Sequence, residues 1–239
     1  MHALLFLALA LLRTISLEGE TRHVQGIAVD GGRLWVTAVD RAAGKGWLFE
    51  HELESGKRTR AVEISHGALV HPGGFDHDED SLWIPVAEYR PDSRTMIQRR
   101  SKDTLELLSS FEVPDHIGAL AVLPQGLLLA NWDARKFYLY SRDGQLLSSR
   151  PNPNPTRYQD IKRRYGAIVA SGLAGRGGDS RAVIEWLDPE TLRPLGREAL
   201  GRTDRGVPLT NEGMDLRDGY LYLLPEDSPS RLFVFRVDY

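Results

Sequence analysis

The chain has 239 residues, 41% hydrophobic and 26% charged, an ordinary globular composition. Thirty Lys and Arg against 33 Asp and Glu leave a net charge of −3, too weak a field to gather nucleic acid or an anionic membrane surface. With no cysteine, disulfides, thiolate metal sites, iron–sulfur clusters and a cysteine nucleophile are excluded.

The first twelve residues, MHALLFLALALL, are too short to span a bilayer, which takes ~20 apolar residues. They have the length of the apolar core of an export signal, ~7–15 residues. Residues 1–12 are therefore read as a signal peptide of a periplasmic or secreted protein, with the mature chain beginning near Arg13. An uncleaved N-terminal strand or a wrongly chosen start is the alternative. No other segment is long and apolar enough to cross a membrane.

A five-residue pattern recurs along the rest of the chain. It reads HVQGI at 23–27, HPGGF at 71–75, HIGAL at 116–120, RYQDI at 157–161 and TNEGM at 210–214. An apolar strand follows each copy: RLWVTAV at 33–39, SLWIPVA at 81–87, GLLLANW at 126–132, GAIVASG at 166–172 and YLYLLPE at 220–226. The step from the fourth pattern residue to the first apolar residue of that strand is eight residues in four copies: Gly26 to Leu34, Gly74 to Leu82, Ala119 to Leu127 and Gly213 to Leu221. Third strands follow (47–53, 96–101, 137–141, 182–187 and 232–237), the first four ending in turn sequences such as ESGK and RDG. A fourth strand completes those units, as at 60–65 and 107–113.

Four antiparallel strands in each unit of ~45 residues predict an all-β, five-bladed β-propeller over 13–239. The fifth unit ends after its third strand. RTISLEGE at 13–20 precedes HVQGI as a fourth strand precedes the other copies, so an N-terminal strand is expected to close the ring and cover its open edge.

Up-and-down connectivity brings the turn into each inner strand and the turn after each second strand to one face. The first column of the repeat is His23, His71, His116, Arg157 and Thr210. The third is Gln25, Gly73, Gly118, Gln159 and Glu212. The second strands end near Asp40, Glu88, Asp133, Leu173 and Asp227, flanked by Tyr89, Arg90, Trp132 and Glu226. The long connection at 201–213 adds Arg205 and Asn211 to this face.

Two readings stay open. The histidines can latch their own blades, as His23–Asp40, His71–Glu88 and His116–Asp133. Or they face the axis, with Gly73 and Gly118 leaving space opposite Gln25, Gln159 and Glu212. In the second case Glu88, Glu212 and Asp227 are the candidate catalytic acids or bases. His23, Gln25, His71, Tyr89, His116, Trp132, Asp133, Gln159, Asn211 and Arg205 are then the ligand-binding set. A divalent metal is a further option: three histidines with Glu212 suit zinc, iron or copper, and carboxylates with amide oxygens suit calcium. The basic clusters QRR at 98–100 and KRRY at 162–165 are read as solvated faces. No Gly-x-Ser-x-Gly elbow is present.

The HPGG stretch at 71–74 and SLWIPVAEYRP at 81–91 resemble the core of an uncharacterised bacterial family. Segments 111–122, 130–138, 203–214 and 221–235 resemble its other motifs. The resemblance implies a propeller-like fold and carries no established activity. More distantly the arrangement is similar to calcium-dependent lactonase-type and other sugar-acting propellers, at the level of fold alone. These features point to a monomeric enzyme of the hydrolase or lyase kind with a small polar or sugar-like ligand. A non-catalytic ligand- or protein-binding propeller is the alternative.

Overall fold

The computed structural model describes residues 8–238. The part of the expected leader at 1–7 lies outside them. The chain folds into five four-stranded antiparallel sheets. Strand β1 (Ala8–Ser16) is followed by blade one, β2 (His23–Asp30), β3 (Arg33–Asp40), β4 (Lys45–Glu52) and β5 (Arg58–Glu63). Blade two has β6 (Leu69–Pro72) with the short β7 (Asp76–His77) as a broken inner strand, then β8 (Ser81–Glu88), β9 (Thr95–Ser101) and β10 (Leu107–Val113). Blade three is β11 (Ile117–Leu123), β12 (Gly126–Asn131), β13 (Lys136–Tyr140) and β14 (Leu146–Pro151). Blade four is β15 (Arg157–Arg164), β16 (Ala167–Ala174), β17 (Arg181–Leu187) and β18 (Pro194–Leu200). Blade five is β19 (Glu212–Arg217), β20 (Tyr220–Pro225) and β21 (Arg231–Asp238), with β1 as its outer strand.

The five-bladed propeller closed by an N-terminal strand is thus the architecture of the chain. The closing strand starts earlier than the sequence pattern indicated. Ala8 to Leu11 pair with Asp238 to Phe235, so β1 takes in residues assigned above to the leader. Leu11 and Leu12 are exposed, Leu9 is half-buried against blades four and five, and Ile15 and the following Leu17 are buried against blades one and five.

Small residues let the inner strands crowd the axis. The fourth repeat position is Gly26, Gly74, Ala119 and Gly213 in four blades and Asp160 in the remaining one. The fully buried Asp160 carboxylate fills the room they leave. It accepts the N–H groups of Ile161 (2.9 Å), Met214 (3.1 Å) and Ile27 (3.4 Å), tying blade four to blades five and one. Lys162, also fully buried, pairs with it. Further along β15, Arg164 bridges Asp76 (2.9 Å) and Asp215 (2.8 Å). Those two carboxylates accept Val122 N–H (3.0 Å) and Val29 N–H (2.8 Å).

The KRRY segment is therefore split: Lys162 and Arg164 form an axial plug, while Arg163 and Tyr165 stay exposed. The reason is that alternate inner-strand side chains are buried at the axis, where each charge needs a fixed partner. The QRR segment departs in the same way. Arg100 is buried, donating to Gln98 Oε1 (2.7 Å) and Leu105 O (2.8 Å), while Gln98 donates to Ile64 O (2.8 Å). The aromatic residues Trp35, Trp83, Tyr222 and Phe235 belong to the core, as their strand positions indicated.

Candidate functional site

At the mouth opposite the plug, the third repeat position has an irregular backbone in every blade. Pairing skips Gln25 between Val24 and Gly26, Gly118 between Ile117 and Ala119, and Gln159 between Tyr158 and Asp160. Each is the extra residue of a β-bulge, a device that re-aims one side chain out of the pleat. In blade two the inner strand breaks after Pro72. In blade five Glu212 itself has φ +113°, a conformation costly for any residue with a side chain. Four of these positions, Gln25, Gly118, Gln159 and Glu212, line one cavity of about 170 Å³.

Of the residues expected at the site, His23, Gln25, His71, Tyr89, His116, Trp132, Asp133, Gln159 and Glu212 line this cavity. Gly118 and Tyr158 complete the wall. Glu88, Asp227, Asn211 and Arg205 do not line it. Glu88 is bound by Arg90 (2.7 Å) and Arg94 (3.3 Å). Asp227 is buried under Arg205 and Arg231. Asn211 holds the adjoining turn through its main chain, which accepts Glu226 N–H (3.0 Å). Gly73 does not open the cup either. A Cβ there would stand 2.3 Å from Gly118 O, so this glycine serves the close approach of blades two and three.

Among the described residues, none of His23, His71 and His116 pairs with the acid expected in its own blade. His116 Nδ1 lies 2.8 Å from Arg90 O, and a carbonyl only accepts, so His116 carries its proton on Nδ1. Burial lowers its pKa, which leaves Nε2 as a lone pair. His71 Nδ1, 3.2 Å away, donates to that lone pair. Burial, aided by His116, holds His71 well below the usual imidazole range. Its own Nε2 is thus an unprotonated acceptor, and among the described residues no hydrogen bond reaches it. The ring is wedged between Tyr89 (centroids 4.4 Å apart) and Trp132 (5.9 Å), with Trp132 also edge-on to His116 (4.5 Å).

Glu212 is the complement. It is 8% exposed and its carboxyl has no hydrogen-bond partner among the described residues. Burial, with Glu226 nearby, pushes its pKa up to about 8, so it is a neutral acid at pH 7. One cup therefore presents a protonated carboxyl and an unprotonated imidazole nitrogen.

The sequence reading did not single out Arg41. Its Nη2 donates to His23 Nε2 (2.6 Å) and its guanidinium lies over Tyr89, 5.5 Å from the ring centroid. Its position directly after Asp40, at the end of β3, was the available signal. His23 Nδ1 then carries the proton and lies 2.6 Å from Glu226 Oε1, off the line of a hydrogen bond. His23, Glu212 and Glu226 bring ligand atoms within 4.8 Å of one another. The three-histidine cluster considered above does not form. A metal on His23 Nδ1 would require the proton on Nε2, where Arg41 already donates, so the residues fit a proton network better than a metal centre.

The fold and the mouth define a five-bladed β-propeller with a polar cup at one end of its channel. The model of a family of unknown function, DUF6454, matches residues 36–161, and the chain belongs to that family. No curated protein matches it. Among solved structures it is similar to a glutaminyl cyclase of Myxococcus xanthus, with 15% identity over 96% of each chain and a TM-score of 0.72. It is also similar to a bifunctional GH43-CE protein of Bacteroides eggerthii (10% identity, 94% of this chain and 34% of that one, TM-score 0.66). A third is the Pan2 WD40 domain of Neurospora crassa (14%, 90% and 62%, TM-score 0.51). At these identities the likeness shows the fold.

Proposed function

We propose that the protein is an acid–base enzyme of the hydrolase or lyase kind acting on a small polar group that fits the cup. The observation that carries this reading is the pairing of a neutral acid, Glu212, with a neutral base, His71, in one cavity. Opposed shifts of this sort assign the two roles of general acid and general base. His71 takes a proton on Nε2, and His116, locked by Arg90 O, keeps that lone pair aimed into the cup. Glu212 gives a proton to the leaving group. Trp132 and Tyr89 hold the ligand by their faces and edges, and Gln25 and Gln159 supply amide contacts. Glu88 and Asp227, tied up in ion pairs outside the cup, have no part in this reading.

The Myxococcus xanthus protein is named a glutaminyl cyclase, so glutaminyl amides belong in the substrate screen beside small esters, lactones and glycosides. No residue role is taken from it. With a substrate in hand, Glu212→Gln and His71→Gln should each lower kcat by about 10²–10⁴-fold. Turnover that survives both changes overturns the reading. A ligand that binds in the cup and is returned unchanged would make the protein a binding propeller. Export is proposed on the apolar run at 1–12, and a processed N-terminus in the secreted fraction tests it.

A further inference from the structure

Arg41 opens the turn between β3 and β4 and stands at the lip of the cup. Its guanidinium touches two residues of the cup wall. Nη2 donates to His23 Nε2 (2.6 Å), and the group lies over the ring of Tyr89. These contacts fix its position. They use one of its five N–H groups, and among the described residues the other four have no acceptor.

Other arginines at turns of this face are neutralised within the protein. Arg22, Arg90, Arg94, Arg205 and Arg231 are each paired with a carboxylate. Arg41 is paired with none among the described residues. Asp40, directly before it, is taken by Arg22 (3.2 Å) and by Ala43 N–H (2.9 Å). The charge of Arg41 is also felt inside the cup. Burial does most to lower the pKa of His71, and Arg41 adds to it; at Glu212 Arg41 opposes the rise that burial causes.

A fixed guanidinium with spare donors and no acid of its own suits an anion from outside. Its planar fork matches a carboxylate in two parallel hydrogen bonds. A dianion such as a phosphate monoester is a poorer match. Glu226 lies across the same imidazole, 2.6 Å from His23 Nδ1, and a single arginine beside it cannot offset two negative charges. The cup, about 170 Å³, is close to the ~150 Å³ that takes in a benzene ring, so it has room for one small group.

We propose that the substrate is a small carboxylate, held by Arg41 at the lip, whose uncharged end enters the cup with Glu212 and His71. This rests on the cup being the reaction site, as proposed above, and adds the class of substrate. Arg41 is the residue that selects it.

Calorimetry with four probes tests it: succinamate, succinamide, 3-phosphonopropionamide and β-alaninamide. All offer the cup the same propionamide end and differ in the group left at the lip. Succinamate should bind about tenfold or more tighter than the other three. Arg41→Gln should bring succinamate down to the level of succinamide. Arg41→Lys, which keeps the charge without the fork, should retain part of the difference. Arg41 is an exposed turn residue, so both variants should fold. Failure of succinamate to bind, equal affinity for succinamate and succinamide, or a preference that survives Arg41→Gln overturns the carboxylate inference alone. Preference for the phosphonate overturns it in favour of a dianion, and preference for β-alaninamide in favour of a cation. If Gly118→Leu leaves the binding of every probe unchanged, the cup reading falls as well.

Discussion

His71 Nδ1 donates to His116 Nε2 across 3.2 Å, joining blade two to blade three at the channel mouth. Neither ring is free to choose its tautomer, because Arg90 O fixes His116 and His116 then fixes His71. In wild-type protein the ¹⁵N spectrum of His71 should show the Nδ1–H form, with no protonation until well below pH 6.5. His116→Ala should give a mixture of tautomers. An unchanged spectrum would mean that the relay does not hold the ring.

Glu212 makes a stability prediction with a definite sign. Its folded pKa of about 8 lies above the ordinary carboxylate value of 4.5, so between those values the folded state binds more proton than the unfolded one. Stability from this group is full below the unfolded value and falls as pH rises toward 8, by roughly 1.4 kcal/mol for each step of one in pH. Glu212→Gln should flatten this slope in urea titrations between pH 5 and 8. An equally steep slope in the variant would place the titration elsewhere.

Gly73 and Gly118 should answer substitution in opposite ways. A Cβ on Gly118 meets only Asn131 O, at 3.7 Å, so Gly118→Leu should keep the fold within about 1 kcal/mol and fill the cup. Gly73→Ala drives a Cβ into Gly118 O and should cost about 2–4 kcal/mol. Thermal melts of the two variants measure the contrast.

Asp160→Ala leaves Lys162 buried without its partner and unsatisfies N–H groups in three blades. The loss should be about 3–5 kcal/mol, larger than for any single cup substitution. A chemical melt within about 1 kcal/mol of wild type would show that the plug is not a stabilising centre.

The closing strand can be shortened in two steps. A chain lacking residues 1–12 keeps the pairing of Arg13 to Ser16 with β21 and the buried Ile15 and Leu17. It should melt only slightly earlier than the full chain. Removing residues 1–19 bares the edge of β21 and takes away the buried Ile15 and Leu17, at a cost of several kcal/mol, ~1.5–3 for each side chain lost. Equal melting of the two chains would contradict closure by β1.

Blade number, strand order and the strand that closes the ring were legible in the amino-acid sequence. They follow from local patterns: alternating strands, turn residues, and a fixed step from Gly26 to Leu34 and from Gly74 to Leu82. Nine of the cup residues could also be placed on one face, because the first and third repeat columns keep a constant register in every blade. What each polar residue does there depends on how the blades meet. Glu88 and Glu212 look alike in sequence, yet arginines from the next turn claim Glu88 on the rim, while a strained φ sends Glu212 into a cavity with no partner. Lys162 and Arg164 read as a solvated run, yet an alternating inner strand points both into the axis. Gly73 and Gly118 fall in the same column, yet the approach of two blades gives one to packing and the other to the cup. The physical reason is common to all of these: repeat position fixes a direction along the blade, whereas the distance between neighbouring blades decides which charges meet, which are desolvated and which space stays open.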